Sequence, residues 1–499
     1  MRTWSFPFAE VNRNSFALKV ANGNVDYRNF FEYQPNLQGI YDAKEKKRFP
    51  SHHRKTLVEA LKGQYEQWEI PVPANVSRLL QEDTFTVTTG HQLNFLSGPH
   101  FFFTKIASTI HLSRLVGSDC IPVFWMASED HDFEEIASAI LFGKTFQIDS
   151  PNSAAPVGRM NMSESWEQEV QKAIELLSSD WAKSIIKQAY KVGFPLSKCI
   201  ARLVHEIFGP FGLIILNGDS VALKNLAYPI FEKEFEKQIL AKKVTEQNEV
   251  LAQFGIEAQV YHRDVNLFSL SRISRIRLEK NDPQFKSLQP VEISPNALMR
   301  PLYQEFILPN LAYIGGAAEV AYWAQLKQAF AEFQIQMPVV LLRPSVFFVD
   351  SKHQQWLEKW NWKIQDAFLD ENQLIKKFIQ QQPNHFSVHE YLETLKELEL
   401  DAKSKIEKIE PTLISTLSAE IEKMKGMWLG LEKKVEKSIK QKQETEVQRI
   451  GKLKNALFPD QIFQERKING FQFIQNQQQI EQLIDTCSPI QPQIHAFLV

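Results

Sequence analysis

The stretch SEDHDFEEI, residues 128–136, concentrates ionisable side chains directly after an apolar, strand-like run. Its first members are Glu129, Asp130, His131 and Asp132. Carboxylates here could hold an ammonium group while the imidazole handles a proton near neutral pH. The same residue types suit zinc or manganese, although no spaced HxH or HExxH partner accompanies them. A third interpretation is an exposed acidic helix start, which the helix dipole favours.

A second junction, TTGHQLNFLSGPHFFF at residues 88–103, joins a strand-like run to a helix-like run. Pro99 suits the first helical position, which makes Gly98 the predicted N-cap and Gly117 the predicted end of the helix. Free N–H groups at such a helix start can bind a phosphate or carboxylate, and Gly90 and Gly98 would let the anion approach the backbone. The alternative is a plain turn, because the spacing matches neither GxGxxG nor a Walker loop.

A third junction, LAYIGGAAEVAYWAQL at residues 311–326, again passes from strand to helix through two glycines. Its glutamate could hold a cation or a ribose, whereas its aromatic residues more often pack in a core. The candidate binding residues here are Gly315, Gly316, Glu319 and Tyr322. Two arginines outside this stretch, Arg300 and Arg343, are candidates to hold carboxylates or phosphates, because a guanidinium binds such groups in a planar, bidentate manner.

The elements that must position these residues alternate between strand and helix. Strand-like runs lie at residues 84–90, 121–127, 211–219, 311–316 and 337–344, and helix-period runs follow most of them. This alternation predicts an α/β fold with a parallel sheet, whose ligands bind at the carboxyl ends of the strands. The more polar segments near 150–208 and 235–300 interrupt the alternation, so we expect a core over residues 1–385 with insertions at these two places.

From residue 386 the composition changes to a Glu/Lys-rich stretch without strand-like runs. This stretch predicts a helical arm over 386–457. Its apolar residues recur at steps of three and four, as in a coiled coil. They are Ile406, Ile409, Leu413, Leu417, Ile421, Met424, Trp428, Leu431, Val435 and Ile439. Pro411 favours a shorter helix followed by a longer one of about 45 residues. The arm is either intramolecular or a homodimer contact, and residues 458–499 are predicted to pack back on the core.

Composition narrows the class of protein. The 57 basic and 59 acidic residues give a net charge of −2, which leaves no positive surplus for nucleic acid or a membrane surface. The three cysteines form no CxxC pair, as is typical of a reducing compartment. The N-terminal stretch lacks the pattern of a signal peptide, and no segment approaches the roughly 18 apolar residues that span a bilayer. We therefore expect a cytoplasmic protein.

Together these motifs resemble the bacillithiol biosynthesis cysteine-adding enzyme family, BshC. The segments that match are TTGHQLNFLSGPHFFFTKI, IPVFWMASEDHDFEEI, ALMRPLYQEFILPNLAYIGGAAEVAYWAQLK, MPVVLLRPS and LFPDQIFQERKING. The resemblance implies a Rossmann-like core related to class I nucleotidyltransferases, with inserted connecting segments and a coiled-coil arm used for dimerisation. The residues that follow the family's loop pattern are Gly90, Gln92, Ser97, Gly98 and Pro99. His91 and His100 depart from it, because the family often carries Gln and Leu there.

The resemblance also implies a reaction, the joining of cysteine to the amine of glucosaminyl malate. Amide formation from a carboxylate is uphill in water, so activation by ATP or another nucleotide, with Mg and no other metal, is expected. The acidic run from Glu129 to Asp132 would anchor cysteine's ammonium group, and His131 or Asp132 would take the proton released. Arg300 or Arg343 would hold the malate carboxylates. A lysine loop of the KMSKS kind is not visible in this sequence.

Two functions of other classes compete with this interpretation. A metal-dependent hydrolase would use the DHDxEE cluster as its ligands. A non-catalytic scaffold would act through the coiled coil alone.

Overall fold

The computed structural model describes residues 2–11, 15–149, 154–383 and 385–499. Residues 150–153, the first four of the predicted insertion near 150–208, lie outside the described residues. The chain divides into two compact units, Met1–Phe348 with Gln464–Val499, and Val349–Phe463. The second unit therefore begins earlier than the arm predicted to start at residue 386, because helices before that residue also belong to it.

The strands found among the described residues are short, and several form small sheets. In chain order they are β1 Thr3–Phe6, β2 Phe85–His91, β3 Cys120–Met126, β4 Ser138–Leu141, β5 Lys144–Gln147, β6 Ile214–Asn217, β7 Leu267–Leu270, β8 Arg275–Arg277, β9 Ile293–Pro295, β10 Asn310–Gly315, β11 Val339–Leu342, β12 Ser345–Val349 and β13 Ile494–Leu498.

The central sheet has five parallel strands in the order β11-β10-β2-β3-β6. Numbered along the chain and read from β6, that order is 3-2-1-4-5, the arrangement of a Rossmann-type sheet. Nearly every residue of the five strands is buried, as expected where helices cover both faces of a parallel sheet, and all seven residues of β3 are buried. The strand order reverses between β2 and β10, which makes their carboxyl ends the expected ligand-binding position.

Helices make up most of the remaining described chain. In chain order they are α1 Phe16–Ala21, α2 Leu37–Lys46, α3 Ser51–Trp68, α4 Ala74–Arg78, α5 Phe101–Val116, α6 Phe133–Ile136, α7 Glu164–Leu176, α8 Asp180–Ala189, α9 Leu196–Phe208, α10 Val221–Lys237, α11 Ile239–Gln253, α12 Met299–Ile307, α13 Ala317–Ala324, α14 Lys327–Phe333, α15 Ser351–Lys359, α16 Glu371–Gln380, α17 His389–Ile406, α18 Ile414–Lys442, α19 Glu444–Leu457 and α20 Gln477–Thr486. Within the described residues, no helix is long and apolar enough to cross a membrane.

The five strand-like runs are confirmed as the five strands of the central sheet. The first segment predicted as an insertion, near 150–208, contains α7, α8 and α9. The second, near 235–300, contains α11 and the small antiparallel sheet β8-β7-β9. After SEDHD the helical run is a single turn, α6, and a β-hairpin of β4 and β5 follows it. Side chains near residues 128–136 therefore lie on a loop and not on a long helix.

In the second unit, α17 and α18 pack against each other as a helical hairpin. The rings of Tyr391 on α17 and Trp428 on α18 stack with centroids 4.4 Å apart. The predicted break at Pro411 is confirmed, because a short 3₁₀ turn starting there separates the two helices. The longer helix has 29 residues rather than about 45, since it ends at Lys442 and α19 starts after Gln443.

Candidate functional site

A cavity of 530 Å³ opens at the carboxyl ends of β2, β3 and β10 in the first unit. This is the switch point of the central sheet, where a Rossmann-type fold binds its ligands. Aromatic and small residues alternate with charged ones along its wall. The charged lining residues are Lys105, Glu129, Asp130, Glu135, Arg275, Arg300, Glu319, Arg343 and Arg466.

Lys105 and Glu319 form the ion pair at the centre of the wall. The buried Lys105 Nζ lies 2.9 and 2.8 Å from the two Glu319 carboxylate oxygens, and it also donates to the carbonyl of Gly90. Tyr313 Oη and the Gly316 amide donate to the same carboxylate at 2.7 and 2.9 Å. Burial opposes ionisation, but Lys105 and these donors outweigh it and lower the pKa of Glu319 to about 2. The pair ties α5 and the end of β2 to β10 and α13.

Arg300 on α12 contributes a positive charge beside this pair. Its Nη1 donates to Gln304 Oε1 at 2.9 Å, and its Nη2 donates to Tyr322 Oη at 3.0 Å. Its guanidinium carbon lies 5.6 Å from the ring centroid of Tyr313. Across the described part of the chain, no carboxylate lies within ion-pair distance of Arg300. Its charge is therefore available to an anionic ligand.

Arg343, the other predicted arginine, is already paired inside the protein. Its two terminal nitrogens each donate to Glu465 at 2.9 Å, and the side chains are only 5% and 3% exposed. Ser345 Oγ and the Val346 amide donate to the same carboxylate. Burial opposes the charge, but the Arg343 guanidinium and its hydrogen bonds keep the pKa of Glu465 below its usual range. Arg343 lines the cavity, yet its two terminal nitrogens are occupied by Glu465 and are not free to bind a ligand.

Glu129 is the most buried member of the acidic strand end. Its carboxylate pairs with the fully buried Lys224, which also lies 3.3 Å from Asp219. Asp219 in turn accepts from Arg159 Nε at 2.7 Å. Burial raises the pKa of Glu129, although the Lys224 ammonium opposes that shift. Glu129 therefore has an internal cation and is a poor candidate for binding a second one.

Asp130 and Glu135 are the more accessible carboxylates of the cavity. Gln92 Nε2 bridges them, donating to Asp130 Oδ2 at 3.3 Å and to Glu135 Oε2 at 2.7 Å. Arg275 Nη1 donates to the other Asp130 oxygen at 3.2 Å. Burial and the negative charges of Asp132 and Asp130 raise the pKa of Glu135. This wall has excess negative charge, which suits an ammonium group.

His131 and Asp132 lie beside the cavity and do not line it. His131 Nδ1 is 3.3 Å from Arg275 Nη1, and 41% of its side chain is exposed. Asp132 is exposed and is the N-cap residue of α6. They are the next two residues after Asp130, which does line the cavity.

The predicted N-cap at Gly98, with Pro99 as first helical residue, is wrong by two residues, because α5 begins at Phe101 with His100 as its N-cap. Its predicted end at Gly117 is confirmed. Gly98 has φ +64°, and an added Cβ would lie 2.6 Å from Asn94 Cβ, so the turn itself requires glycine. Asn469 Nδ2 donates to the carbonyls of Leu96 and Gly98. A segment of the protein thus covers this turn, and Ser97 and Gly98 are buried outside the cavity lining.

The structure brings together most of the residues that the sequence suggested. Those that line the cavity are Gly90, Gln92, Glu129, Asp130, Arg300, Gly316, Glu319, Tyr322 and Arg343. Those that do not are Ser97, Gly98, His131, Asp132 and Gly315. Sequence reasoning missed Lys105, Arg275 and Arg466, and it included Glu135 only as a member of the acidic DHDxEE cluster. Lys105 had a usable signal, since a single lysine in the apolar run FFFTKIAST must find a buried partner.

The structure bears on whether the acidic run at 128–136 could bind a metal ion. Within the residues described, no group of three or more His, Cys, Asp or Glu side chains is placed to hold a metal ion. The positive neighbours explain the arrangement, because Lys224 and Arg275 occupy the carboxylates of Glu129 and Asp130.

The fold and the site define a Rossmann-like enzyme with a C-terminal coiled-coil domain. Residues 1–344 match the family described as bacillithiol biosynthesis BshC, N-terminal Rossmann-like domain. Residues 346–497 match its C-terminal coiled-coil domain. The chain therefore belongs to the BshC family, and the predicted fold class is confirmed. Similar proteins of this family are named as ligases, and the chain is an enzyme of that class.

Three relatives illustrate the similarity, and each is named cysteine ligase BshC. The protein of Christiangramia forsetii is 32% identical over 503 residues, covering 93% of both chains. That of Flavobacterium johnsoniae is 32% identical over 93% of this chain and 94% of its own. That of Flavobacterium psychrophilum is 33% identical over 89% of both. A solved tryptophanyl-tRNA synthetase from Plasmodium falciparum covers 86% of this chain and 96% of its own, but 13% identity and a TM-score of 0.23 carry no argument.

Proposed function

We propose that this protein joins L-cysteine to the amine of glucosaminyl malate, the last step of bacillithiol biosynthesis. The observation that carries the proposal is the division of charge in the cavity. Among the described residues, Arg300 has no carboxylate partner, while Asp130 and Glu135 lie together on the β3 side, where Arg275 donates to Asp130. Such a cavity suits a ligand pair with carboxylates at one end and an ammonium group at the other. The names of the relatives support the same reaction.

In this proposal the acidic wall binds the ammonium group of cysteine. Asp130 and Glu135 do so, because Glu129 already has Lys224 as its cation. Arg300 binds a malate carboxylate, since its guanidinium is held in place by Gln304 and Tyr322. His131 or Asp132, at the cavity edge, takes the proton that the sugar amine releases.

Activation of the cysteine carboxyl group calls for a nucleotide, ATP being the simplest choice. The residues at the switch point fit such a group, because Arg300 and Arg466 line the cavity without a carboxylate partner among the described residues. When bound with Mg, the nucleotide would supply the free energy that amide formation needs. The chain's own part is to orient cysteine and exclude water. We place the reaction in the cytoplasm, where the three free cysteines would stay reduced.

A strain that lacks the gene is expected to accumulate glucosaminyl malate and to contain no bacillithiol. The wild-type gene restores the thiol, whereas Asp130→Asn fails to restore it, because the ammonium group loses its charged partner. The matched control is Glu134→Gln, which neutralises an exposed carboxylate of the same run that lies outside the cavity lining. Mass spectrometry of cellular thiols gives the readout. Normal bacillithiol in the deletion strain, or full rescue by Asp130→Asn, would contradict the proposal.

We also propose that the protein is a homodimer through its helical arm. Two of the predicted seam residues on α18, Met424 and Leu431, are both 44% exposed, whereas Ile421 is buried in the hairpin. Met427, which lies outside the predicted seam, is 70% exposed on the same face as Met424 and Leu431. Light scattering at micromolar concentration is expected to give twice the chain mass. Met427→Glu with Leu431→Glu should give a monomer, because charge in a buried seam is costly. The control is Lys433→Glu, on another face of α18, which should leave the dimer intact. A wild-type protein that is monomeric at this concentration would contradict the proposed homodimer.

A further inference from the structure

Arg466 reaches the cavity from the C-terminal return of the chain. Its side chain is exposed and lines the cavity. Among the described residues, no hydrogen bond or ion pair engages its guanidinium. It comes from a segment that is separated from the rest of the cavity wall by the whole second unit in sequence. Its position therefore depends on how that segment is held.

The residues on both sides of Arg466 are fixed by buried contacts. Glu465 takes the two hydrogen bonds from Arg343, and Gln464 exchanges hydrogen bonds with the backbone of Phe348 at 2.8 and 3.0 Å. Three residues on, Asn469 donates to the backbone of the loop before α5, and the carbonyl of Ile468 accepts from the His100 amide at 2.8 Å. A segment anchored at both ends fixes the backbone position of Arg466 at the cavity, so that only its side chain has to be ordered when a ligand binds.

The charged residues of the cavity wall indicate which class of ligand the Arg466 guanidinium can bind. Arg343 is paired with Glu465, so Arg300 and Arg466 are the arginines of the lining left without a carboxylate partner among the residues described. A planar fork of donors matches carboxylate and phosphate oxygens. We propose that Arg466 is a binding residue for an oxyanion, a carboxylate or a phosphate, of the ligand that enters this cavity. The inference deepens the proposed function and rests on it for the identity of the ligand.

The test uses the full-length protein and two simple probes, L-malate for the carboxylate source and inorganic pyrophosphate for the phosphate source. Calorimetric titration is expected to show that Arg466→Gln weakens binding of one probe by about tenfold, the scale of one lost charge-assisted contact. Arg466→Lys should weaken it less, because lysine keeps the charge but not the fork. Lys467→Gln, which removes the same charge outside the cavity lining, should bind like the wild type. Circular dichroism checks that every variant is folded.

The outcomes separate this inference from the proposed function. Loss of malate binding assigns Arg466 to a carboxylate, and loss of pyrophosphate binding assigns it to a phosphate. Unchanged binding of both probes in Arg466→Gln, or no binding of either probe to the wild type, overturns the inference. A wild type that binds a probe through Arg466 but forms no amide from cysteine and glucosaminyl malate leaves the inference standing and refutes the proposed ligase reaction.

Discussion

Replacing Lys105 by methionine is expected to lower kcat/KM for the ligase reaction by at least about a hundredfold. Lys105 Nζ holds both oxygens of Glu319 and the carbonyl of Gly90, so it fixes the two strand ends on either side of the switch point. Methionine has a similar length but donates no hydrogen bond. The substitution leaves the Glu319 charge without its cation, and the walls that orient the two substrates are free to move apart. Steady-state kinetics with both substrates varied gives the measurement.

A second substitution separates positioning from simple stability. Lys105→Met alone is expected to cost about 3 kcal/mol of unfolding free energy, because one member of a largely buried pair is left uncompensated. Adding Glu319→Gln removes that charge and should restore most of the stability, yet activity should stay low. Chemical denaturation measures the unfolding free energy, and steady-state kinetics measures the activity. If the double variant regained activity along with stability, the pair would be structural only.

The second large effect concerns the pair between Arg343 and Glu465. Glu465→Gln is expected to lower the free energy of unfolding of the first unit by roughly 3–5 kcal/mol, because the guanidinium of Arg343 stays buried without its counter-charge. Glu481→Gln, an exposed change on α20, is the matched control and should shift stability by less than about 0.5 kcal/mol. Urea unfolding followed by circular dichroism compares the three proteins.

The stability supplied by Glu465 should depend on pH in a definite direction. Its pKa in the folded protein lies below the ordinary value of 4.5, so the contribution is complete above that value. It is lost as the pH falls from 4.5 through the lowered pKa. The difference between wild type and Glu465→Gln should therefore be constant near neutral pH and shrink in acid. A difference that grew on acidification would show that the carboxyl group is not stabilised as an ion.

The central sheet could be predicted because its strands are short β-rich runs and a helical segment follows most of them. The carboxyl-end rule then placed Gly90, Asp130 and Gly316 near one another correctly. Lys105 escaped notice because its partner Glu319 lies 214 residues further along the chain, and no local pattern links the two. The same holds for Arg343, which looked free because its partner Glu465 is 122 residues away. Contacts between distant segments decide which charges remain available to a ligand.

Local geometry was misjudged where a distant segment covers a loop. The glycine-flanked junction before α5 resembles an anion site in sequence, yet the amides of Gly98 and His100 already donate to the carbonyls of Phe95 and Ile468. The positive φ of Gly98 explains the glycine without any ligand. In the same way, the acidic run at 128–136 contributes residues to the cavity wall, but the sequence does not reveal that Lys224 already pairs with Glu129.

The return of the chain at Gln464 sets the order in which the protein can be completed during synthesis. The ribosome makes the Rossmann-like sheet first, then all of Val349–Phe463, and only then the segment that carries Glu465 and Arg466. Until that segment emerges, Arg343 has no counter-charge, and the turn at Leu96 and Gly98 has no cover. Because domains generally fold as units, we expect the first unit to complete its cavity only after this last segment has been made. A chain cut short before residue 464 would therefore be released with its binding site open on one side.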